Sequence, residues 1–517
     1  MKLSSLILLI SVAVLLRIAL ALHPGLWSDE IFSLAMATGH SLEHPAVEAN
    51  PALGDYVESP DPQPAAAFRR YTQHDASPAG PSRVIRAVLL SDTSPPLYYL
   101  LLNAWTRMLG TSDAALRLFS TLWAVGCFPL LWFLGCTLAG RKTAWAACVL
   151  FGFSPLALFY SAEGRMYSLL WFEALTVACA TLSLARRGPL PYLLAIWILS
   201  AASGLLTHYF FAFALAACYV WLVLYATKIS RRQIAGLLVA TTLVVLPWYI
   251  QIPGSMNRWR VTKEWANQSL TLVESVANPF RLAAGYLSVS GPWGGAKRSN
   301  VLATIVYAVF LLFGRRQDVR RLFTRRSRLF WFMAAAAVMG PLLFDLLMGT
   351  NVSSIRRYAL AGLPAAILLV AAGLCRLPRT IYLTALLFIP LIWLPGIQKV
   401  FTEASISSTY RDPYRRISID LSANPQDLII VHSIPSGVIG VARYITTDTP
   451  IASWVVQLER RRFPRDISRF ASAYSRIALV KVHDMNEASP AESWLLHHRT
   501  LHRRSKLNES DAEIVLF

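Results

Sequence analysis

The groups in this chain best equipped for chemistry are acids and guanidiniums that interrupt otherwise apolar sequence. Asp29 and Glu30, in Trp27-Ser28-Asp29-Glu30, follow directly on an apolar run. Carboxylates there can take up a proton, although Ser28 or Asp29 ahead of Ile31-Phe32-Ser33-Leu34 also reads as a helix N-cap. Glu163 and Arg165 sit in the turn Tyr160-Ser161-Ala162-Glu163-Gly164-Arg165-Met166-Tyr167. They are either a plain turn pair or working groups, because an acid and a base at membrane depth are costly unless used. Arg356 and Arg357 stand in Ser354-Ile355-Arg356-Arg357-Tyr358, and a fourth stretch, Ser94-Pro95-Pro96-Leu97-Tyr98-Tyr99, carries prolines suited to the first turn of a helix.

The elements that must position these stretches are apolar helices. Of 517 residues, 55% are hydrophobic and 15% charged, and the mean hydropathy is +0.45, a balance that calls for lipid over much of the surface. A helix needs about 20 apolar residues to cross the hydrocarbon. The pattern predicts a polytopic α-helical membrane protein of about eleven spans, near 4–22, 118–138, 143–160, 167–185, 190–206, 210–227, 233–250, 300–314, 329–347, 358–375 and 380–396. The run 97–109 (LYYLLLNAWTRML) is too short to span and is expected to lie in the interface.

Charge fixes the expected orientation. A formal net charge of +20 raises a nucleic-acid partner, but the basic residues share no single face or domain. Arg141, Lys142, Arg186, Arg187, Lys228, Arg231, Arg232, Arg376, Arg379 and seven arginines between Arg315 and Arg328 occupy gaps between apolar runs. With the N-terminus inside and 97–109 not crossing, all these gaps are cytoplasmic; if 97–109 crossed, most would lie outside.

On this topology a membrane domain covers 1–396, with a first outer loop at 23–113 and a second at 251–299, and 397–517 forms a small extracytoplasmic α/β domain. Its expected strands are Asp427–Val431, Ile477–Val482 and Ala512–Phe517. Arg356 and Arg357 then lie on the side that the positive-inside bias depletes, which requires a reason. The Pro-, Ala- and polar-rich stretch 43–82 is expected to be mobile or irregular, a candidate lid. All six cysteines lie in apolar sequence without a CxxC pair, which reads as buried thiols. Met1–Leu22 has the outline of a signal peptide, but Arg17 inside it favours a retained first helix.

Taken in order, the Asp-Glu pair after the first span, Pro-Pro-Leu-Tyr-Tyr, Ser-Asp-x-Ala-Leu-Arg at Ser112 to Arg117, Tyr-Ser-x-Glu-x-Arg-Met-Tyr, Thr-His-Tyr-Phe at Thr207 to Phe210 and an Arg-Tyr before a late span resemble the family 39-like glycosyltransferases of the GT-C superfamily. Their relatives include the protein O-mannosyltransferases and the aminoarabinose transferase of lipid A. The resemblance covers roughly residues 1 to 375, and Tyr410 to Arg416 (YRDPYRR) is similar to the start of the family's extracytoplasmic tail.

The resemblance implies a multi-pass protein of the bacterial inner membrane that takes a sugar from a polyprenyl-phosphate donor and places it on a lipid, polysaccharide or protein acceptor at the outer face. It maps the family's first-loop acid onto Asp29, with Glu30 beside it, as the base that accepts the acceptor hydroxyl's proton. Arg165, Arg356 and Arg357 become candidates for the lipid phosphate, with Arg357 beside Tyr358 matching the family pattern better. Glu163, Tyr167, Tyr98 and Tyr358 join the expected substrate site. His208 binds phosphate or bonds a backbone carbonyl, the second being favoured. One departure is Ser94, where relatives often carry a His or another polar or cationic residue, so a phosphate or metal contact from that position is not expected. No metal ligands are assigned, and a divalent cation stays open as a cofactor. A transporter of lipid-linked sugars and a ligase acting on lipid-linked substrates are the competing classes; the absence of an internal repeat weighs against the transporter.

Overall fold

The computed structural model describes residues 3–44, 48–92, 94–254, 270–289, 322–403, 413–457, 460–461, 467–483, 490–507 and 512–517. The predicted span at 300–314, much of the second outer loop and the residues Tyr410 to Asp412 fall outside these. The chain divides into two compact units.

The first unit comprises the described residues of 3–21, 117–253 and 270–400, and is helical. Among the described residues, seven helices are long and apolar enough to cross a membrane: Ser4–Ala21, Asp113–Ala139, Tyr167–Arg187, Arg231–Gly254, Arg325–Met348, Arg356–Leu374 and Arg379–Thr402. Two shorter apolar helices, Pro191–Leu205 and Phe211–Tyr225, occupy the predicted spans at 190–206 and 210–227. Burial sorts these helices. Arg356–Leu374 is 83% buried, whereas Ser4–Ala21, Arg231–Gly254 and Arg379–Thr402 are each only 28% buried and expose Leu8, Leu243 and Leu387. Apolar side chains left outside in this way are what lipid contact requires.

The span predicted at 143–160 is broken. Helix Arg141–Phe153 ends at Ser154 and helix Pro155–Ala162 restarts at an angle of 63°. Sequence explains the break: a residue before proline avoids the helical region, Ser154 is extended, and its hydroxyl caps the new helix by accepting from the Ala157 amide. A break strands carbonyls that have no partner within the helix. Arg17 takes them. Its Nη atoms donate to the carbonyls of Phe151, Gly152 and Ala13, each at 2.9 Å, and its Nε donates to Ser161 Oγ at 3.1 Å. The guanidinium also lies over the Phe128 and Phe151 rings. Arg17 is fully buried, so the residue that argued for a retained helix is the one that satisfies the break.

The second unit comprises the described residues of 22–116 and those from 401 onward. The stretch from Leu22 to Leu116, expected as a loop of the membrane domain, therefore folds with the tail. Strands β1 (Leu428–Ser433), β2 (Ile451–Gln457), β3 (Arg460–Arg461), β4 (Ile477–Val482), β5 (Arg503–Lys506) and β6 (Ala512–Leu516) form one sheet in the order β3-β2-β1-β4-β6-β5. β1 runs parallel to β2 and β4, while β6 is antiparallel to β4 and β5. β1 and β4 are buried along their whole length, as central parallel strands are, and Leu428, Ile430, Ile477, Leu479, Trp454 and Val515 share a core.

The stretch 43–82, expected to be irregular, leaves Pro51, Ala52, Leu53 and Val57 exposed but is packed in other described parts. Gln63 pairs with Ile451 through two backbone hydrogen bonds. Asp55 is fully buried and takes a two-pronged bond from Arg86 at 2.6 and 2.7 Å, and Tyr56 and Phe68 are buried. Composition suggested mobility because polar residues abound, but those residues are consumed by specific partners. Helix Leu97–Leu109 forms over the predicted range and, at 13 residues, is too short to span. It buries Tyr98, Tyr99, Leu102, Asn103 and Thr106, and Asn103 donates to the Ala37 carbonyl at 2.7 Å.

Substituting Arg17 by Met is expected to leave the carbonyls at the break unsatisfied, at about 1–3 kcal/mol for each buried group that stays unpaired. Thermal unfolding in detergent should fall by several degrees, and an unchanged midpoint would refute this role of the guanidinium.

Candidate active site

In the second unit the two neighbouring acids are put to different uses. Helix Ser28–Ala37 starts after Trp27, whose backbone is extended. Glu30 is fully buried and its carboxylate accepts from the Trp27 amide at 3.3 Å, closing the first turn. Such a cap also benefits from the positive end of the helix dipole. Asp29 is only half-buried, and its backbone carbonyl accepts from Ser33 Oγ. Tyr98 is buried edge-on against Tyr99 at 5.6 Å.

The segment before Asp29 is held by the tail helix Pro435–Tyr444. Tyr444 Oη accepts from the Leu26 amide and donates to Asp113 Oδ2, both at 2.7 Å. The same carboxylate oxygen accepts from the Gly25 amide at 2.8 Å. Arg443 donates to Asp113 Oδ1 at 2.8 and 3.0 Å, to Thr72 Oγ1 at 2.9 Å and to the Thr111 carbonyl at 2.7 Å. Asp113 is the acid of the Ser-Asp-x-Ala-Leu-Arg motif, and the geometry assigns it a clamp. A cavity of about 530 Å³ lies beside it, lined by Leu22, Arg69, Gln73, Asp113 and Arg443 among others. Ser94 Oγ and Tyr99 Oη both donate to Asp92 Oδ2, at 2.8 and 3.1 Å, so the residue in the departing position serves a neighbouring acid.

In the first unit, the turns expected to bind substrate meet one another. Glu163 and Arg165 are both buried, and the Arg165 amide donates to the Glu163 carbonyl at 2.7 Å. Ser120 Oγ fixes the turn by donating to the Arg165 carbonyl. Tyr167 packs on Tyr160 at 4.9 Å and lies 6.1 Å from the His208 ring. His208 in turn lies 6.2 Å from the Tyr358 ring, and Phe210 packs beside both, 5.9 Å from His208 and 5.0 Å from Tyr358. The Arg357 guanidinium stands over Tyr358 at 5.6 Å.

The His208 Nδ1 accepts from the Phe210 amide at 3.2 Å, so the ring is bonded to backbone, through an amide rather than the carbonyl expected. Burial first, then the charges of Arg165 and Arg357, push its pKa down to about 3. A neutral imidazole contributes no cation to a phosphate. Arg356 donates to Ser288 Oγ at 3.3 Å.

The arginine pair is placed by a residue that the sequence reading missed. Asp345, buried near the end of helix Arg325–Met348, accepts from Thr350 Oγ1 at 2.6 Å and the Val352 amide at 2.7 Å through Oδ1, and from the Ser353 amide at 2.8 Å through Oδ2. This folds the chain into the turn that leads to Arg356. Beyond the arginines, Tyr286 donates to the Ala359 carbonyl at 2.6 Å and Trp171 to the Leu360 carbonyl at 2.9 Å. The available signal was an acid at the end of an apolar run followed by Gly349-Thr350-Asn351, which also reads as an ordinary helix stop. Among the described residues, no group of three or more His, Cys, Asp or Glu could hold a metal ion.

No family model and no curated protein sequence matches the chain. Solved structures do. The crystal structure of ArnT from Cupriavidus metallidurans in the apo state superposes over 99% of this chain and 98% of that one, with a TM-score of 0.58 and 12% identity. The chain has the fold of ArnT. A second ArnT structure from the same organism, bound to undecaprenyl phosphate, covers 100% of this chain and 98% of that one, with a TM-score of 0.55 and 10% identity. The fold expected from the ordered motifs, a helical membrane domain with an α/β tail, is thus the fold observed, and it matches ArnT over essentially its whole length.

Replacing Asp345 by Ala removes the acceptor of three charge-assisted hydrogen bonds, each worth about 1.5–3 kcal/mol when intact. The variant is expected to unfold at lower temperature than the parent and to weaken any anion contact made by Arg356 or Arg357. A variant with the parent's melting temperature would contradict the assignment.

Proposed function

We propose that the chain is a glycosyltransferase of the bacterial inner membrane that moves a sugar from a polyprenyl-phosphate donor to an acceptor at the extracytoplasmic face. The observation that carries this reading is the whole-length likeness to ArnT, one structure of which is bound to undecaprenyl phosphate, and the arginines of the ordered motifs support it. The N-terminus is cytoplasmic and the tail extracytoplasmic, as the arginine-rich gaps demand.

The chemistry follows from the charge that develops. The acceptor oxygen attacks the anomeric carbon, its proton passes to the Asp29 carboxylate, and the glycosidic electron pair leaves with the lipid phosphate. Glu30 is a poor candidate for base because its carboxylate is buried as a helix cap, which leaves Asp29. The growing negative charge on the phosphate is met by Arg165, Arg356 and Arg357, whose planar forks suit phosphate oxygens and stay ionised near lipid. Glu163, Tyr167 and Tyr358 are the further candidates for substrate contact in the first unit and Tyr98 in the second, and His208 is a neutral ring beside Tyr167 and Tyr358. No step is routed through a divalent cation.

The test is a panel of radiolabelled polyprenyl-phosphate sugars incubated with membranes that hold the chain. One donor is expected to be consumed with release of free polyprenyl phosphate, and Arg357→Ala should raise its KM by about 10-fold or more, with partial recovery in Arg357→Lys. Movement of an intact donor across vesicles without sugar release would establish the transporter instead.

A further inference from the structure

A buried polar cluster in the second unit lies against the Asp29 turn and is used by nothing described above. Tyr414, on helix Pro413–Ala423, is fully buried. Its hydroxyl is 2.7 Å from His483 Nε2, and its pKa is raised by burial, with Ser28 and Ser436 acting to lower it and the Asp29 charge to raise it. Ser28 Oγ and Ser436 Oγ are themselves 2.8 Å apart. The residue beside Asp29 is thus joined to the tail helix Pro435–Tyr444, the same helix that the Tyr414 ring approaches at Gly440.

The local backbone is shaped to permit this. His483 follows β4 with φ +64°, the only non-glycine residue with positive φ among those described, a conformation that costs free energy unless its surroundings impose it. On helix Pro435–Tyr444, a Cβ at Gly437 would meet the Ser433 side chain and stand 3.1 Å from the His483 ring, and a Cβ at Gly440 would meet the Tyr414 ring. Both glycines are therefore needed for the rings to approach. A histidine with positive φ, two glycines spent on close approach, two buried polar side chains (Tyr414 and Ser436) and two half-buried ones (Ser28 and His483) exceed what anchoring one aromatic ring requires.

We infer that Tyr414, backed by His483, is a positioning residue for Asp29, holding the Ser28-Asp29 turn so that the carboxylate faces the acceptor hydroxyl. This rests on the transferase reading of Asp29. The tail is then part of the catalytic apparatus, because the helix that carries Tyr414 and the strand that leads to His483 both belong to it. A mispositioned base reduces turnover without weakening the binding of a donor whose phosphate is held elsewhere.

The experiment compares parent, Tyr414→Phe, His483→Asn and the double variant in membranes, with kcat and donor KM measured on the donor that the parent consumes and thermal midpoints measured in detergent. Phe keeps the buried ring, and Asn tolerates the left-handed backbone. The expected result is a kcat lowered about 10-fold or more in Tyr414→Phe, a donor KM within about 2-fold of the parent and a double variant no slower than Tyr414→Phe alone. Full kcat in Tyr414→Phe, a loss of rate that only tracks a loss of folded protein, or a change confined to KM would each overturn the inference while leaving the transferase standing. A parent that consumes no donor would instead overturn the transferase reading, and this inference with it.

Discussion

The carboxylate of Asp113 is the interaction on which the second unit depends. It receives Arg443, the Tyr444 hydroxyl and the Gly25 amide at once, and so binds the segment that leaves the first span to a helix of the tail. A buried ion pair is weak evidence for stability by itself, because desolvation offsets much of its attraction. Its value here is in register. Arg443 also bonds Thr72 and the Thr111 carbonyl, so one guanidinium fixes two separated parts of the first loop, at Thr72 and at Thr111 to Asp113, against the tail. Asp29 stands only a few residues from that clamp, and its place is a consequence of the clamp.

The same rule, that a polar group away from water must find a partner, shapes the helical unit. The bend at Ser154 exists because a proline follows, and it persists because Arg17 satisfies the carbonyls it strands. The turn before Arg356 exists because Asp345 gathers two amides and a hydroxyl. In each case one charged side chain substitutes for the hydrogen bonds that a continuous helix would have made. Irregular backbone next to lipid is tolerated only where protein groups satisfy it. The candidate substrate residues Glu163 and Arg165 lie in the turn between two helices, and Arg356 and Arg357 begin the 3-10 turn that follows the Asp345 contacts.

Much of this was legible in the sequence, for identifiable reasons. Apolar runs of span length declare themselves, and β1, β4 and β6 were readable because strands buried on both faces are continuously apolar. Helix Leu97–Leu109 was readable from its prolines and its length. β5, Arg503–Lys506, was not, since its side chains are charged and mostly exposed. The packing of 43–82 was not, because Asp55 and Arg86 are far apart in sequence and no local pattern joins them. The resemblance set Asp29 ahead of its neighbour Glu30 as base, and only the fold shows Glu30 closing a helix turn. Tyr414 appeared as part of a tail motif with no stated role, since its partner His483 and the Ser28–Ser436 contact come from three other segments.

The central claim is that Asp29 is the base of a sugar transfer, and the direct measurement separates donor binding from turnover in Asp29→Asn, with Glu30→Gln as its neighbour control. Asn is close in size to the native side chain and cannot take the proton. The account predicts donor binding within about 2-fold of the parent and turnover reduced about 100-fold or more, the range expected when a general base is lost. An Asp29→Asn variant that is normally inserted, binds donor and turns it over at the parent's rate would contradict the account and return Asp29 to the role of an ordinary first-turn residue.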